Sequence, residues 1–312
     1  MCTAISFTTR QRHRFVGRTM DFPTRSTPWQ LGYLPIDYQW RSLPECDSFA
    51  NDYAILGGMR KINHHYLIGD GLNSAGLWAA ELYFPGPQVY YDHPQSHHLT
   101  QSHHLNLSPQ DLIGWLLGTH ASVAEIAAEL DSVALIGVIW HDHDIVHPFH
   151  WLLSDATGTY LIEPTQYHLT IQPIQLGVLT NSPCYPKQRQ KLTDYLGIDQ
   201  DASDTEIIMA IRGSKTPPPL KRTPTSRFIN ASLNLWQTSP IEDQNAIKQG
   251  NELLKQVVLD QLADHDVYTH YLEMVDIQTQ TSYFYDLTTQ QQLKQRLPDL
   301  MVRFDQPYLF ES

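Results

Sequence analysis

The stretch Cys2-Thr3-Ala4-Ile5-Ser6-Phe7, directly after Met1, decides the fold of this chain. Removal of Met1 would leave Cys2 with both a thiol and a free α-amine. Because an α-amine has an ordinary pKa of about 7.7–8.0, it can be neutral near physiological pH and accept the thiol proton. The stretch therefore predicts a strand that begins with a nucleophile carrying its own base. A small residue at position 2 is also common without any catalytic role, so other features must support this hypothesis.

The second deciding feature is Gly17-Arg18-Thr19-Met20-Asp21, which ends the short strand run that begins at Phe15. A short polar segment separates this run from the first strand, which predicts a hairpin. Pairing of the two strands would bring Arg18 and Asp21 beside the start of the chain. A guanidinium near sulfur favours the thiolate, and a carboxylate would hold the α-amine. The alternative is a salt bridge on the hairpin surface.

The rest of the sequence alternates between strand blocks and helices. Further strands are predicted at Tyr53–Met59, Tyr66–Gly69, Leu77–Phe84, Ala134–Trp140, His150–Ser154, Thr159–Ile162, His168–Gln172, Gly177–Thr180, Tyr268–Ile277 and Thr281–Leu287. Helix starts are predicted at Ser108-Pro109-Gln110-Asp111, Ser122-Val123-Ala124-Glu125, Ser203–Glu206 and Ser239–Glu242. Because no Pro/Gly/Ser-rich linker separates two halves, residues 1–312 are predicted to form one α+β domain.

Composition excludes several classes of function. The 312 residues carry a formal net charge of −12, which argues against a nucleic-acid partner. The three cysteines, Cys2, Cys46 and Cys184, are too few for a disulfide framework and favour a reducing compartment. No signal peptide and no membrane-spanning segment are predicted. We therefore expect a cytoplasmic protein with no membrane partner.

Several blocks, in the same order, resemble the choloylglycine hydrolase family, which includes bile salt hydrolases and penicillin V acylases. The resemblance covers nearly the whole chain. It is carried by the two N-terminal stretches and by Asp70-Gly71-Leu72-Asn73-Ser74-Ala75-Gly76-Leu77, Leu82-Tyr83-Phe84-Pro85-Gly86, His150-Trp151-Leu152-Leu153-Ser154-Asp155, Gly177-Val178-Leu179-Thr180-Asn181-Ser182-Pro183 and Ser226-Arg227-Phe228.

The resemblance implies an N-terminal-nucleophile (Ntn) hydrolase fold, a four-layer αββα sandwich of two antiparallel sheets between helical layers. It also implies that Cys2 is the nucleophile and that its own amine is the base. Arg18 would lie beside the thiolate, and Asp21 beside the α-amine. These implied roles agree with the chemistry expected from the hairpin.

Three more site residues follow from the resemblance. Asn181 would donate its side-chain amide to the oxyanion, and the backbone N–H of Tyr83 would be the second donor. Arg227 would stabilise charge that develops around the nucleophile. The alternatives are a strand-ending turn for Asn181, a half-buried strand aromatic for Tyr83 and a surface position for Arg227.

The implied activity is hydrolysis of a linear amide C–N bond in a small N-acyl amide through an acyl-enzyme on Cys2. The resemblance also suggests a homotetramer. Tyr83 stands where bile salt hydrolases usually have Asn, and Pro217–Pro219 lie in a segment that is usually glycine-rich. We therefore expect a penicillin V acylase-like preference for aromatic or fatty acyl groups, with conjugated bile salts as the alternative. Trp29, Trp140 and Trp151 could form aromatic walls of the acyl pocket or belong to the core.

Sixteen histidines leave a function of another class open. The densest clusters are His141-Asp142-His143-Asp144, with His147 and His150, and the pairs His97-His98 and His103-His104. Imidazoles with nearby carboxylates can bind zinc, but this spacing matches no standard zinc module. A His-rich metal-binding protein and a non-catalytic binder of acyl amides remain the alternatives. For the hydrolase we expect no metal and no cofactor.

Overall fold

The computed structural model describes residues 2–23, 28–40, 43, 46–95, 105–139, 145–238, 240–261 and 266–311. The strands are β1 Thr3–Thr8, β2 Arg14–Pro23, β3 Gln30–Leu34, β4 Ile55–Ile62, β5 His65–Ile68, β6 Asp70–Asn73, β7 Trp78–Tyr83, β8 Leu105–Leu107, β9 Val133–Leu135, β10 Phe149–Ser154, β11 Thr159–Ile162, β12 Ile171–Pro173, β13 Val178–Thr180, β14 Val267–Asp276, β15 Thr281–Asp286, β16 Gln292–Arg296 and β17 Tyr308–Leu309. The helices are α1 Leu112–Thr119, α2 Val123–Glu129, α3 Tyr185–Leu196, α4 Asp204–Gly213, α5 Pro224–Thr238, α6 Asp243–Lys255 and α7 Leu297–Arg303, with a 3-10 turn at Leu130–Ser132.

Two antiparallel sheets form the centre of the molecule. The first sheet has the strand order β13-β1-β2-β14-β15-β16. The second has the order β12-β11-β10-β7-β6-β4-β3-β17, with β5 paired to β4. Helices α5 and α6 pack on the outer face of the first sheet, and α1 packs on β6 and β7 of the second. The described residues therefore form the predicted αββα sandwich.

The hairpin of β1 and β2 is the part of the fold that positions the chain start. Its register pairs Ala4 with Arg18 and Thr3 with Thr19. Because side chains alternate across a strand, Ala4, Ser6 and Arg18 share one face. Ser6 Oγ bonds Ser154 Oγ at 3.0 Å in the second sheet, so this face points into the space between the sheets. Cys2, two residues before Ala4, lies on the same side.

Helix starts agree with the capping patterns at two of four sites. Ser203 makes a complete capping box with Glu206, and the Ser122 side chain accepts from Glu125 N. The prediction at Ser108 is wrong, because Ser108 Oγ bonds the Asp111 carboxylate at 2.8 Å and closes a turn before α1 begins at Leu112.

The predicted start of α6 at Ser239–Glu242 is also wrong. The helix begins at Asp243, and Ser239 lies outside the described residues. The Glu242 carboxylate binds Arg10 Nη1 at 3.0 Å and Gln11 Nε2 at 2.5 Å, in the turn between β1 and β2. Tertiary contacts, rather than a local capping box, therefore set this helix end.

Most predicted strands are present, but three have wrong boundaries. The strand predicted at Tyr53–Met59 is shifted to β4, Ile55–Ile62. The strand predicted at Ala134–Trp140 is reduced to β9, which ends at Leu135 and pairs in parallel with β8. The strand predicted at His168–Gln172 is shifted to β12, Ile171–Pro173. No helix in the described residues has the length and apolar character needed to cross a bilayer.

Candidate active site

Cys2 lies at the wall of a cavity of about 1030 Å³ at one end of the two sheets. The cavity is also lined by Arg18, Asp21, Tyr83 and Asn181. Arg227 is not one of its lining residues, but its Nη1 donates a hydrogen bond to the Asp21 carboxylate. The structure thus brings all six residues predicted from the sequence to one site.

The backbone nitrogen of Cys2 is held by Asn181. Cys2 N donates to Asn181 Oδ1 at 2.5 Å, and both residues are buried. Pairing of Thr3 with Thr180 across β1 and β13 places Asn181, the residue after β13, beside Cys2. Cys2 Sγ makes a weak contact of 3.6 Å with the backbone oxygen of Asp21. The nitrogen and sulfur of Cys2 therefore face different partners.

Arg18 is a fully buried cation beside Cys2. Its Nε donates to Thr19 O at 3.2 Å, its Nη1 to Glu81 O at 3.1 Å and to Gly69 O, and its Nε lies 3.7 Å from Asp70 Oδ1. Burial alone would lower the pKa of Arg18, but the charges of Cys2, Tyr271, Asp70 and Glu81 outweigh it and raise the pKa above its ordinary value. A permanently charged guanidinium is therefore fixed next to the thiol.

Asp21 and Arg227 form a buried ion pair behind Cys2. Arg227 Nη1 donates to Asp21 Oδ2, and Nη2 donates to Thr19 Oγ1 at 3.0 Å. Thr269 Oγ1 donates to Asp21 Oδ1 at 2.6 Å. A register shift after Thr269 in the β14–β2 pairing puts Thr269 opposite Asp21. Such bulges re-aim side chains beside functional sites.

We expect Arg227→Met to destabilise the protein strongly. The side chains of Arg227 and Asp21 are 1% and 0% exposed, so the substitution removes one charge of a buried ion pair and leaves the other buried. Breaking a buried pair in this way costs about 3–5 kcal/mol of the free energy of unfolding, measured by urea denaturation. The control is Arg222→Met, because Arg222 pairs with Asp260 at the surface and its loss should cost at most about 1 kcal/mol. Equal effects of the two substitutions would contradict the prediction.

The backbone N–H of Tyr83 is oriented toward Arg18. Phe84 N donates to Pro148 O at 2.8 Å on the β10 side, whereas Glu81 N donates to Gly69 O at 2.9 Å on the opposite side. Because backbone groups alternate in direction along a strand, the Tyr83 N–H points to the side of Gly69, where Arg18 lies. A backbone donor thus faces the region beside Cys2.

The inner walls of the cavity are apolar. They include Met20, Trp29 and Phe149, which are at most 7% exposed, and Phe22, whose ring meets Trp29 edge-on at 5.6 Å. Charged residues at the mouth are exposed: Lys221, Arg222, Asp260 and Asp266. The cavity therefore suits a ligand with an apolar body and a polar end.

Of the other two candidate tryptophans, Trp151 is fully buried in the core between the second sheet and α1, and Trp140 lies outside the described residues.

The histidine clusters do not form a metal site in the part of the chain that the structure describes. No group of three or more His, Cys, Asp or Glu side chains there could hold a metal ion. His150 bonds the Glu163 carboxylate at 3.1 Å, and His147 stacks on Phe149. The residues predicted to complete these clusters, His97, His98, His103, His104, His141, Asp142, His143 and Asp144, lie outside the described residues.

A family model for linear amide C–N hydrolases, choloylglycine hydrolase family, matches residues 2–300. The chain belongs to this family. The match spans the hairpin, β13, α5 and every strand of the second sheet except β17, so the elements that form the site lie within it.

Among relatives of this family member, a bile salt hydrolase/transferase from Lactiplantibacillus plantarum is 30% identical over 199 residues, which are 62% of this chain and 57% of the relative. A conjugated bile acid hydrolase from Lactobacillus gasseri is 26% identical over 91% of this chain and 92% of its own length.

Two solved structures share the fold of this choloylglycine hydrolase family member. The C2A variant of conjugated bile acid hydrolase from Clostridium perfringens has a TM-score of 0.82 at 18% identity, covering 100% of this chain and 97% of its own. Penicillin V acylase from Agrobacterium tumefaciens has a TM-score of 0.72 at 19% identity, covering 96% and 88%.

Sequence reasoning missed two residues of the site. No sequence pattern around Thr269 identifies it as a site residue. Only the pairing of β14 with β2 shows that Thr269 faces Asp21, to which its hydroxyl donates a hydrogen bond. Glu81 also lines the cavity. A single carboxylate inside the otherwise apolar strand Trp78–Tyr83 was a signal that could have identified it.

Proposed function

We propose that this chain is an N-terminal-cysteine hydrolase that cleaves a linear amide C–N bond through an acyl-enzyme on Cys2. The observation that carries the proposal is the placement of Cys2 N 2.5 Å from Asn181 Oδ1, with Arg18 buried beside the thiol. Nucleophile, base, cation and oxyanion donors are then present within one apolar cavity. No cofactor is needed for this chemistry.

The first half of the reaction forms the acyl-enzyme. With Met1 removed, the α-amine of Cys2 accepts the thiol proton, and Arg18 stabilises the thiolate. Sulfur attacks the amide carbon, and the carbonyl oxygen becomes an oxyanion. Asn181 Oδ1 accepts a hydrogen bond from Cys2 N, so Asn181 donates to the oxyanion through its Nδ2 group. The backbone N–H of Tyr83 is the second oxyanion donor. The ammonium group then protonates the leaving amine as the C–N bond breaks.

The second half releases the acid. The neutral amine takes a proton from water, the resulting hydroxide attacks the thioester carbonyl, and the same donors hold the second oxyanion. Collapse of this intermediate breaks the C–S bond and restores Cys2. Asp21 and Arg227 hold β2 in place behind the nucleophile throughout.

The substrate that this cavity supports is an N-acyl amide with an aromatic or fatty acyl group. Trp29, Phe22 and Phe149 give flat aromatic walls, and the charged mouth suits the polar amine portion. Conjugated bile salts are the second candidate. The relative from Lactiplantibacillus plantarum is a bile salt hydrolase/transferase, and the relative from Lactobacillus gasseri is a conjugated bile acid hydrolase. Turnover of penicillin V, glycocholate, taurocholate and a long-chain N-acyl homoserine lactone, measured side by side, tests both. Hydrolysis of none of them would count against the proposal.

The mechanism predicts that Met1 is absent from active protein. Intact-mass measurement should show a chain lighter by one methionine residue, because a peptide-bonded nitrogen at Cys2 cannot act as a base. Acylation of the freed α-amine by a mild amine reagent should abolish turnover, with a sample protected by bound product as the control. Full activity of a chain that retains Met1 would refute the role of the amine.

A further inference from the structure

Gln188 carries a buried side-chain amide that the mechanism above does not use. It lies in the first turn of α3, seven residues after Asn181, and is fully buried. A side-chain amide has two N–H donors on its nitrogen and two acceptor positions on its oxygen. Burying such a group costs free energy unless these positions are filled. The partners of Gln188 therefore indicate what the residue does.

Among the described residues, every hydrogen bond of the Gln188 side chain goes to the segment around Asn181. Its Nε2 donates to Asn181 O at 2.7 Å, to Pro183 O at 2.6 Å and, over a longer distance of 3.3 Å, to Thr180 O. Its Oε1 accepts from Thr180 Oγ1 at 2.9 Å. Because the three backbone oxygens can only accept, the NH₂ group must face them, which fixes the orientation of the amide.

The turn that Gln188 binds lies between two regular elements. β13 ends at Thr180 and α3 begins at Tyr185, so the carbonyl groups of Asn181 and Pro183 lie outside both. A buried carbonyl group that is not paired in a sheet or helix needs a donor from elsewhere. Gln188 provides this donor for both carbonyl groups, so one side chain holds the backbone on both sides of residue 182.

Asn181 is thereby anchored at two points. Its backbone oxygen accepts from Gln188 Nε2, and its side-chain Oδ1 accepts from Cys2 N at 2.5 Å. With the main chain and Oδ1 both fixed, the Nδ2 group of Asn181 keeps a single direction. A misplacement of about 1 Å in a reacting or stabilising group can lower a rate by about 10²-fold. The position of this amide thus depends on a residue outside the cavity.

We propose that Gln188 is a positioning residue for the reaction at Cys2. It holds the turn of residues 181–183 so that Asn181 reaches Cys2 N and the oxyanion at the same time. Gln188 is not among the residues that line the cavity, so it acts through Asn181 and not through the substrate. The inference rests on the proposed function and adds a residue of α3 on which the oxyanion donor depends.

Substitution by methionine tests the proposal. Gln188→Met keeps a similar volume and helix propensity but removes the donors and the acceptor. We expect kcat to fall about 10- to 100-fold while KM stays within about 2-fold of wild type. The control is Gln190→Met on the same helix, because Gln190 is exposed and bonds only Gln200 Oε1, at 3.0 Å, so both constants should be unchanged. If Gln188→Met does not fold, Gln188→Asn keeps an amide that is one methylene group too short and should lower kcat in the same way.

A double-mutant cycle with Asn181→Ala distinguishes positioning from a general loss of stability. Once the Asn181 side chain is absent, Gln188→Met should lower kcat by less than about 3-fold, because its effect passes through that side chain. The same fold-loss in both backgrounds, a loss confined to KM, or near-wild-type turnover by Gln188→Met and Gln188→Asn would overturn the role of Gln188 while the hydrolase activity stands. Failure of wild-type protein lacking Met1 to hydrolyse any acyl amide would instead overturn the proposed function.

Discussion

Replacement of Cys2 by alanine is expected to lower kcat by at least about 10⁴-fold, because loss of a covalent nucleophile removes the reaction path itself. The fold should be retained, since Cys2 Sγ makes only a weak contact, 3.6 Å from Asp21 O, and alanine fits the same space. The solved C2A variant of conjugated bile acid hydrolase from Clostridium perfringens shows that this substitution is compatible with the fold in that protein. Steady-state turnover and thermal unfolding measure the two effects separately.

The matched control is Cys184→Ala. Cys184 precedes α3, is partly exposed and makes no side-chain capping hydrogen bond, so its loss should leave turnover unchanged. A thiol-reactive acyl analogue should label wild-type protein at Cys2 and leave Cys2→Ala unlabelled at that position. Full turnover by Cys2→Ala would rule out the acyl-enzyme. Absence of labelling together with absence of turnover would instead favour a non-catalytic binder.

Substitution of Asn181 should give the second-largest loss, about 10²–10³-fold in kcat with little change in KM. Asn181 serves two purposes in the proposed mechanism: its Oδ1 holds Cys2 N at 2.5 Å, and its Nδ2 is available to the oxyanion. Removal of an oxyanion donor affects the transition state more than the bound substrate, so kcat should fall while KM stays near its wild-type value. Single-turnover kinetics measure the acylation step directly.

Two substitutions separate these purposes. Asn181→Ala removes the acceptor and the donor, whereas Asn181→Asp keeps an oxygen for Cys2 N and removes the donor. If the donor matters, both variants lose activity to a similar degree. Near-normal turnover by Asn181→Asp would show that Asn181 only positions the chain start. Ser182→Ala, at the neighbouring residue whose hydroxyl donates to Pro85 O at 2.7 Å, serves as the control and should remain close to wild type.

The N-terminal half of the site could be predicted from local sequence. Arg18 and Asp21 lie on the second strand of a hairpin whose first strand directly follows Cys2, and the pairing of Ala4 with Arg18 follows from a short polar turn between two strand runs. The capping box of α4 follows from the sequence for the same reason, since Ser203 and Glu206 are neighbours on one helical turn. In both cases the interacting groups are close along the chain.

Local patterns failed where distant contacts took over. The capping pattern at Ser239–Glu242 does not set the start of α6, because Glu242 binds Arg10 and Gln11, which lie near the other end of the sequence. The sequence from Ser108 to Asp111 resembles a helix N-cap because serine and aspartate occur both in turns and at helix N-termini. A capping pattern shows that a side chain can cap a helix. The surrounding structure decides whether that side chain caps a helix, closes a turn or binds a distant residue.

By itself, the sequence determined the hairpin that carries the candidate nucleophile, the layered α+β class and, through its resemblance, the family. Only the tertiary structure decided how Asn181, 179 residues away, reaches Cys2 through the pairing of β1 with β13, and how Arg227 on α5 meets Asp21. It also decided that Glu81 Oε2 is buried without a hydrogen-bond partner among the described residues. The physical reason is that residue patterns record preferences between chain neighbours, whereas burial and contacts between sheets depend on how all the layers pack together.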